Sequence, residues 1–173
     1  MVSSDARVSS PELKQELIRG ITDEDAETTV IDTGLATTPM HYFSINYLKA
    51  DGGVTVTASH NPKEFNGFKL SRRGAVTIYQ GEGMEEVKNS VIRGIFETPK
   101  GRGKVIENNL EHDYVEFLLS NIPANEFAQR LKIVFDCGNG MAGLVLRRLA
   151  ERLPIDFEIL YEDIDMTFPN HEA

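Results

Sequence analysis

Residues 54–62 read VTVTASHNP, a run of β-branched residues followed by a polar turn. Val54 and Val56 alternate with threonines, and this period of two in β-branched residues predicts a short β-strand. The Asn-Pro pair at the end of the stretch predicts a turn. The strand therefore brings Ser59 to the carboxyl edge of a sheet, which is where ligands bind in open α/β proteins.

The loop after this strand carries several groups that suit chemistry at a hydroxyl. Ser59 is followed by His60 and Asn61, and Lys69 lies just past a glycine. Acyl transfer needs a base held against the serine, but His60 is its immediate chain neighbour and no G-x-S-x-G motif is present. Phosphoryl transfer relies on positioning and on cations, and Lys69 is a candidate cation. The same residue types are common in polar turns, so a purely structural turn stays open.

The rest of the amino-terminal half predicts alternating helices and strands. Residues 9–12, SSPE, and residues 38–39, TP, are typical helix starts, and residues 29–31 predict a strand. This order predicts a parallel α/β sheet with right-handed crossovers. Residues 67–70 and 75–78 flank a polar turn and predict an antiparallel hairpin at the edge of that sheet.

The segment TPKGRGK, residues 98–104, has the composition of a linker, with proline, glycine and basic residues and no apolar period. We therefore predict a first domain over residues 1–98, a linker over residues 99–104 and a second domain over residues 105–173. The first domain is expected to lack its first segment. The second is expected to be incomplete, since a two-stranded sheet is too small to be stable alone.

Composition limits the classes of function. The formal net charge is −9, which argues against a nucleic-acid or anionic-membrane surface. Cys137 is the single cysteine and cannot form an internal disulfide, so a reducing compartment is favoured and the residue is interpreted as small and buried. No apolar run reaches the roughly 18 residues of a membrane span. We expect a cytoplasmic protein that binds neither nucleic acid nor membrane.

Two acidic clusters and one glycine-rich turn are alternative ligand sites. Residues 23–25 and 163–165 place carboxylates two positions apart, but hard cations want several converging oxygens, so solvated acidic surface is the favoured interpretation. The string Gly138-x-Gly140-x-x-Gly143 matches a dinucleotide-binding turn, and a tight structural turn is the favoured interpretation there.

Two loop motifs together resemble those of the α-D-phosphohexomutases, the phosphoglucomutase and phosphomannomutase family. They are TASHNP at residues 57–62 and NGFK at residues 66–69, supported by D-x-R-x-S-S-P at 5–11, D-x-G-N-G at 136–140 and FPNH at 168–171. The resemblance covers essentially the whole chain. It implies a mixed α/β fold of mainly parallel sheets sandwiched by helices, comprising most of the family's domain 1 and the start of its domain 2.

The resemblance implies intramolecular phosphoryl transfer on hexose phosphates, interconverting 1- and 6-phosphates through a phosphoserine at Ser59. It implies His60 and Lys69 as catalytic partners for phosphate and protons, and Thr57 and Asn61 as residues of the phosphate loop. It also implies Mg²⁺, bound through the phosphate oxygen of Ser59 with its other ligands outside the chain. A hexose 1,6-bisphosphate is implied as activator and intermediate.

Several family segments are absent from this sequence, among them the D-G-D-x-D-R metal loop and the sugar-selecting G-E-x-S-G-H loop. We therefore expect the chain alone to be inactive as a mutase, with little or no turnover, and to work with the missing domains as partners. A homo-oligomer formed through exposed surface is a further expectation. Two alternatives stay open: the phosphoglucosamine mutase branch and a non-catalytic phosphosugar-binding module.

Overall fold

The computed structural model describes residues 1–94, 101–122 and 131–171. The strands are β1 (Val2–Ser4), β2 (Thr29–Leu35), β3 (Gly52–Val56), β4 (Phe68–Arg72), β5 (Val76–Ile78), β6 (Lys104–Glu107), β7 (Lys132–Asp136) and β8 (Asp156–Leu160). The helices are α1 (Ser10–Glu24), α2 (Thr38–Tyr47), α3 (Met84–Arg93), α4 (Glu111–Ser120) and α5 (Gly143–Ala150). Within these ranges, no helix has both the length and the apolar character to cross a membrane.

Six strands form one sheet in the order β5-β4-β3-β1-β2-β6. The central strand is β1, where Val2 pairs with Asp32 on one side and with Val54 on the other, both in parallel. Parallel neighbours need crossover connections, and α1 and α2 supply them. Strands β4 and β5 add an antiparallel hairpin at one edge. The prediction of a mixed, mainly parallel α/β fold is confirmed.

The position of strand β6 differs from the predicted domain boundary. Linker composition predicts that the second domain starts at residue 105, but the structure pairs β6 with β2 in parallel, with Val105 opposite Val30. Residues 104–107 therefore complete the first sheet through backbone hydrogen bonds, and a separate two-stranded sheet of β7 and β8 begins only at Lys132. Residues 99 and 100 of the predicted linker lie outside the described residues.

A buried apolar cluster joins the helices of the two sheets. It contains Ala36, Met40, Leu110, Tyr114, Val115 and Val145. Phe43 on α2 packs against it, with ring centroids 5.3 Å from Tyr114 and 5.0 Å from Phe117 on α4. Because Val145 lies on α5 and Ala36 directly follows β2, this cluster holds α5 close to the end of β2.

The predicted helix starts are confirmed, but a side-chain hydroxyl caps only the second of these two helices. Thr37, not Thr38, accepts the hydrogen bond from the Met40 N–H of α2. At α1 the capping position is Ser9, which makes no side-chain cap bond, while the Ser10 hydroxyl donates to Asp5 at 2.6 Å. That hydroxyl therefore ties the start of α1 to the residue that follows β1.

Candidate functional site

The carboxyl ends of three parallel strands of the first sheet and of one strand of the second open onto one cleft of about 760 Å³. Asp5, Ala36, Thr57 and Asp136 line it, each at or directly after the end of β1, β2, β3 and β7 respectively. The amino-terminal turns of α2 and α5 line it as well. Helix amino termini carry partial positive charge and free N–H groups, so the cleft suits an anionic ligand.

The structure brings Ser59, His60 and Lys69 together at this cleft. The Lys69 ammonium lies 3.5 Å from Ser59 Oγ, and His60 Nδ1 lies 3.4 Å from the same oxygen. Lys69 reaches Ser59 because the antiparallel pairing of β3 and β4 places it opposite Thr55, near the end of β3. Both distances are at the long end of the hydrogen-bond range, and Ser59 and His60 are exposed to solvent. A ligand can therefore reach all three groups.

The backbone of the loop holds Ser59 in an unusual conformation. Ser59 has a φ of +57°, the left-handed region, which costs a non-glycine residue roughly 1–2 kcal/mol. Its N–H donates to Thr57 Oγ1 at 3.0 Å, and the Asn61 N–H donates to the Ala58 carbonyl at 3.0 Å. Of the two residues predicted to shape the loop, Thr57 therefore acts through its side chain and Asn61 through its backbone.

Arg7 binds the backbone of the same loop. This role is not predicted from the sequence. Its Nη1 donates to the carbonyls of Pro62 at 2.8 Å and Phe65 at 3.1 Å. Its Nη2 donates to the carbonyls of Asn61 at 2.8 Å and Ser59 at 3.1 Å. The D-x-R-x-S-S-P motif marks Arg7 in the sequence, but residue types alone do not show that it binds backbone atoms more than fifty positions away.

Asp5 anchors Arg7 to the sheet. Its Oδ2 lies 3.1 Å from Arg7 Nε, and its Oδ1 accepts hydrogen bonds from the Arg7 N–H and the Ser10 hydroxyl. The far end of the loop is also attached to this point, since the Asn66 amide donates to the hydroxyls of Ser9 and Ser10 at 2.9 Å each. The Ser59 loop is therefore fastened to β1 and α1 at both ends.

The opposite wall of the cleft belongs to the turn between β7 and α5. His171 Nε2 lies 3.0 Å from Asp136 Oδ1, and this hydrogen bond, with another from the Gly138 N–H, lowers the pKa of Asp136. Asp136 is therefore ionised and already paired. Burial raises the pKa of Cys137, whose side chain is buried, so its thiol is protonated at neutral pH. This supports its interpretation as a structural residue.

Close packing accounts for the glycine string of this turn. Gly138 has a φ of +51°, and a β-carbon there would lie 2.8 Å from the His171 ring. A β-carbon at Gly143 would lie 2.0 Å from the Glu162 carbonyl oxygen. Neither position tolerates a side chain for reasons internal to the fold, which favours the tight structural turn over a nucleotide site.

A metal site is not complete within this chain's described residues. Those residues contain no group of three or more His, Cys, Asp or Glu side chains that could hold a metal ion. In the acidic cluster at residues 163–165, Asp165 accepts hydrogen bonds from the Thr167 N–H and hydroxyl. That carboxylate closes a local turn, which agrees with the interpretation of the cluster as surface.

Comparison with known proteins identifies the family of this fold and site. The family model described as "Phosphoglucomutase/phosphomannomutase, alpha/beta/alpha domain I" matches residues 1–97. The chain belongs to this family. The resemblance read from the loop motifs is confirmed.

Curated relatives align along nearly all of this chain. It is 37% identical to the phosphomannomutase of Salmonella typhimurium, over 98% of this chain and 38% of that protein. It is 35% identical to the phosphomannomutase/phosphoglucomutase of Pseudomonas syringae, over 98% of this chain and 35% of that one. The chain therefore spans somewhat over a third of the length of these relatives.

Solved structures agree with the fold. The crystal structure of a phosphoglucomutase/phosphomannomutase family protein from Burkholderia thailandensis matches with a TM-score of 0.83 and 34% identity, over 99% of this chain and 37% of that one. A putative phosphomannomutase from Thermus thermophilus matches with a TM-score of 0.72 over 99% of this chain and 39% of that one. Because the identity is 22%, this match supports the fold alone.

Proposed function

We propose that Ser59 accepts and returns a phosphoryl group during the interconversion of hexose 1-phosphates and 6-phosphates. The observation that carries this proposal is the position of Ser59 Oγ, 3.5 Å from the Lys69 ammonium on a fastened loop at the cleft. The names of the relatives, phosphomannomutase and phosphoglucomutase, support the class of substrate.

The chemistry at Ser59 is a phosphoryl exchange between two oxygens. Ser59 Oγ attacks the phosphorus of a bound hexose bisphosphate, and the bond from phosphorus to the sugar oxygen breaks as the new bond forms. The hydroxyl proton passes to His60 Nδ1, which later releases it to solvent, and the departing sugar oxygen takes up a proton from solvent. The Lys69 ammonium neutralises charge on the moving phosphoryl oxygens. In the reverse direction Ser59 returns the group to either end of the hexose monophosphate.

Mg²⁺ and a hexose 1,6-bisphosphate belong to this proposal. A phosphoserine carries about −1.5 to −2 charges near neutral pH, and Lys69 supplies a single positive charge. Mg²⁺ on a phosphate oxygen of Ser59 would neutralise the remainder. The described residues do not form the rest of its ligand set, so no step is assigned to the metal.

Intact-mass measurement tests the proposal. The purified chain is incubated with glucose 1,6-bisphosphate and Mg²⁺, and we expect a gain of one phosphoryl group that Ser59→Ala abolishes. Ser90→Ala is the matched control, because Ser90 is an exposed serine on α3 that bonds only its own helix, and it should leave the gain unchanged. A phosphoryl group retained in Ser59→Ala would contradict the assignment of Ser59.

Calorimetric titration with the same bisphosphate separates phosphoryl transfer from simple binding. Affinity with no gain in mass would refute the transfer step and assign the chain as a phosphosugar-binding module.

A further inference from the structure

We infer that Arg7 is a positioning residue that fixes the backbone of the Ser59 loop, and that it does so without contacting the substrate. The inference rests on the proposed function only in taking Ser59 as the reactive hydroxyl. The claim that one buried guanidinium controls the loop depends only on the contacts of Arg7.

Every N–H group of the Arg7 guanidinium donates a hydrogen bond within the protein. An arginine side chain has five N–H donors, and the structure provides five acceptors within 3.1 Å. One is Asp5 Oδ2 and the other four are carbonyl oxygens of residues 59–65. The side chain is 1% exposed. No N–H remains to donate to a phosphate, which separates Arg7 from Lys69, whose ammonium lies at the cleft.

The loop needs such a support because its path is strained. Ser59 lies in the left-handed region, and strained backbone persists only where the surrounding structure holds it. Four carbonyls that converge on one point also repel one another unless a donor lies between them. Arg7 satisfies both requirements, since its planar fork fills the centre of the loop and bonds the carbonyl of Ser59 itself.

Both sides of the guanidinium are tied to rigid parts of the fold. Asp5, which follows the central strand β1, forms an ion pair with Arg7, so the buried pair has no net charge. The ring of Phe168, from the segment after β8, lies 5.8 Å from Arg7 Cζ. The position of Ser59 is therefore set by the centre of the first sheet and by the segment that follows the second.

Lysine cannot take over this role. Its ammonium has three donors on one point, so Arg7→Lys keeps the charge and loses at least two of the five hydrogen bonds as well as the planar fork. This variant therefore separates positioning from charge. Arg19→Lys is the matched control, because Arg19 is an exposed arginine on α1 that pairs with Glu16.

Hydrogen exchange measured by mass spectrometry tests the inference on the full chain. The readout is the exchange of the Ser59, Asn61 and Phe65 amides, each of which donates a hydrogen bond within the loop. We expect at least tenfold faster exchange of these amides in Arg7→Lys, with wild-type exchange in β7 and β8 and no change in Arg19→Lys. Loop exchange within twofold of wild type in a folded Arg7→Lys protein would overturn the inference.

A second variant serves if Arg7→Lys loses protection throughout the sheet. Phe168→Leu leaves all five hydrogen bonds in place and removes only the ring from the guanidinium, so it should fold. We expect it to accelerate exchange severalfold in the loop alone. An unchanged loop in Phe168→Leu, alongside global unfolding of Arg7→Lys, would overturn the inference, because neither variant would then show loop exchange that depends on the Arg7 site.

Phosphoryl transfer gives the functional readout. A displacement of about 1 Å can cost a hundredfold in rate, so we expect Arg7→Lys to slow phosphorylation of Ser59 at least tenfold while calorimetric affinity for glucose 1,6-bisphosphate stays within twofold. Weakened affinity with normal loop exchange would make Arg7 a ligand-binding residue and overturn the inference. If wild-type Ser59 is not phosphorylated, the proposed function fails, while the exchange experiment still decides the role of Arg7.

Discussion

The burial of His41 predicts that acid destabilises this fold in a way that one substitution removes. His41 lies on α2, and its side chain is fully buried. Nδ1 lies 2.8 Å from Ser3 Oγ on β1, and Nε2 has no hydrogen-bond partner among the described residues. Burial lowers the pKa of His41 from 6.5 to about 4. The folded protein therefore holds this ring neutral at pH values where the unfolded chain protonates it.

The size of the effect follows from the two pKa values. Between pH 6.5 and pH 4 the unfolded chain binds a proton that the folded chain excludes, so the free energy of unfolding falls as the pH is lowered through this window. Each pKa unit corresponds to 1.36 kcal/mol, so the full effect is about 3 kcal/mol. About 2 kcal/mol of this loss occurs between pH 7.5 and pH 5.0. The stability returns as the pH rises from 4 towards 6.5, and it is fully present above that window.

Urea unfolding followed by far-ultraviolet circular dichroism at a series of pH values measures this loss. Carboxylates titrate in the same window, so the comparison is with His41→Leu, which keeps them and removes the imidazole. We expect the wild type to lose about 2 kcal/mol more than His41→Leu between pH 7.5 and pH 5.0. His112→Gln, at an exposed position on α4, should behave as the wild type. Equal losses in the wild type and His41→Leu would refute the reasoning.

Glycine positions and the strained serine give further predictions, all measured by urea unfolding at neutral pH. Gly143→Ala should destabilise the chain by at least about 2 kcal/mol, because its β-carbon would meet the Glu162 carbonyl. Gly20→Ala, in open space within α1, should stabilise it by about 0.5–1 kcal/mol, and equal effects at both positions would contradict the packing argument. Ser59→Gly should be about 1 kcal/mol more stable than Ser59→Ala, because only glycine avoids the cost of a positive φ. If the alanine variant is the more stable, the loop is unstrained.

Much of the sheet could be predicted because its signals are local. The alternation of Val54 and Val56 and the turn before β5 identify strands within a few residues, and the helix starts carry proline at fixed positions. The approach of Lys69 to Ser59 also follows from short-range order, since a hairpin register places it.

The remaining features depend on distant pairings that residue types do not reveal. Strand β6 has only Val105 and Ile106 as apolar residues, each 51% exposed, and follows a basic, glycine-rich segment, so its composition indicates a linker. It lies beside β2 because its backbone pairs in parallel with the edge of that strand. Arg7 was missed for a related reason: its partners are carbonyl oxygens, which every residue type carries.

The position of β1 at the centre of the sheet has a consequence for how the chain reaches its native state. Residue 2 pairs with residues 32 and 54, and residue 30 pairs with residue 105, so the sheet is built from distant segments. Such non-local topologies fold slowly, because loop closure must precede the contacts that reward it. Arg7 lies just beyond β1 and its four carbonyl partners lie beyond β3, so its contacts depend on the pairing of these two strands. The geometry around Ser59 therefore depends on a long-range pairing, and a chain in which β1 and β3 are not yet paired would present the serine on a loop without its support.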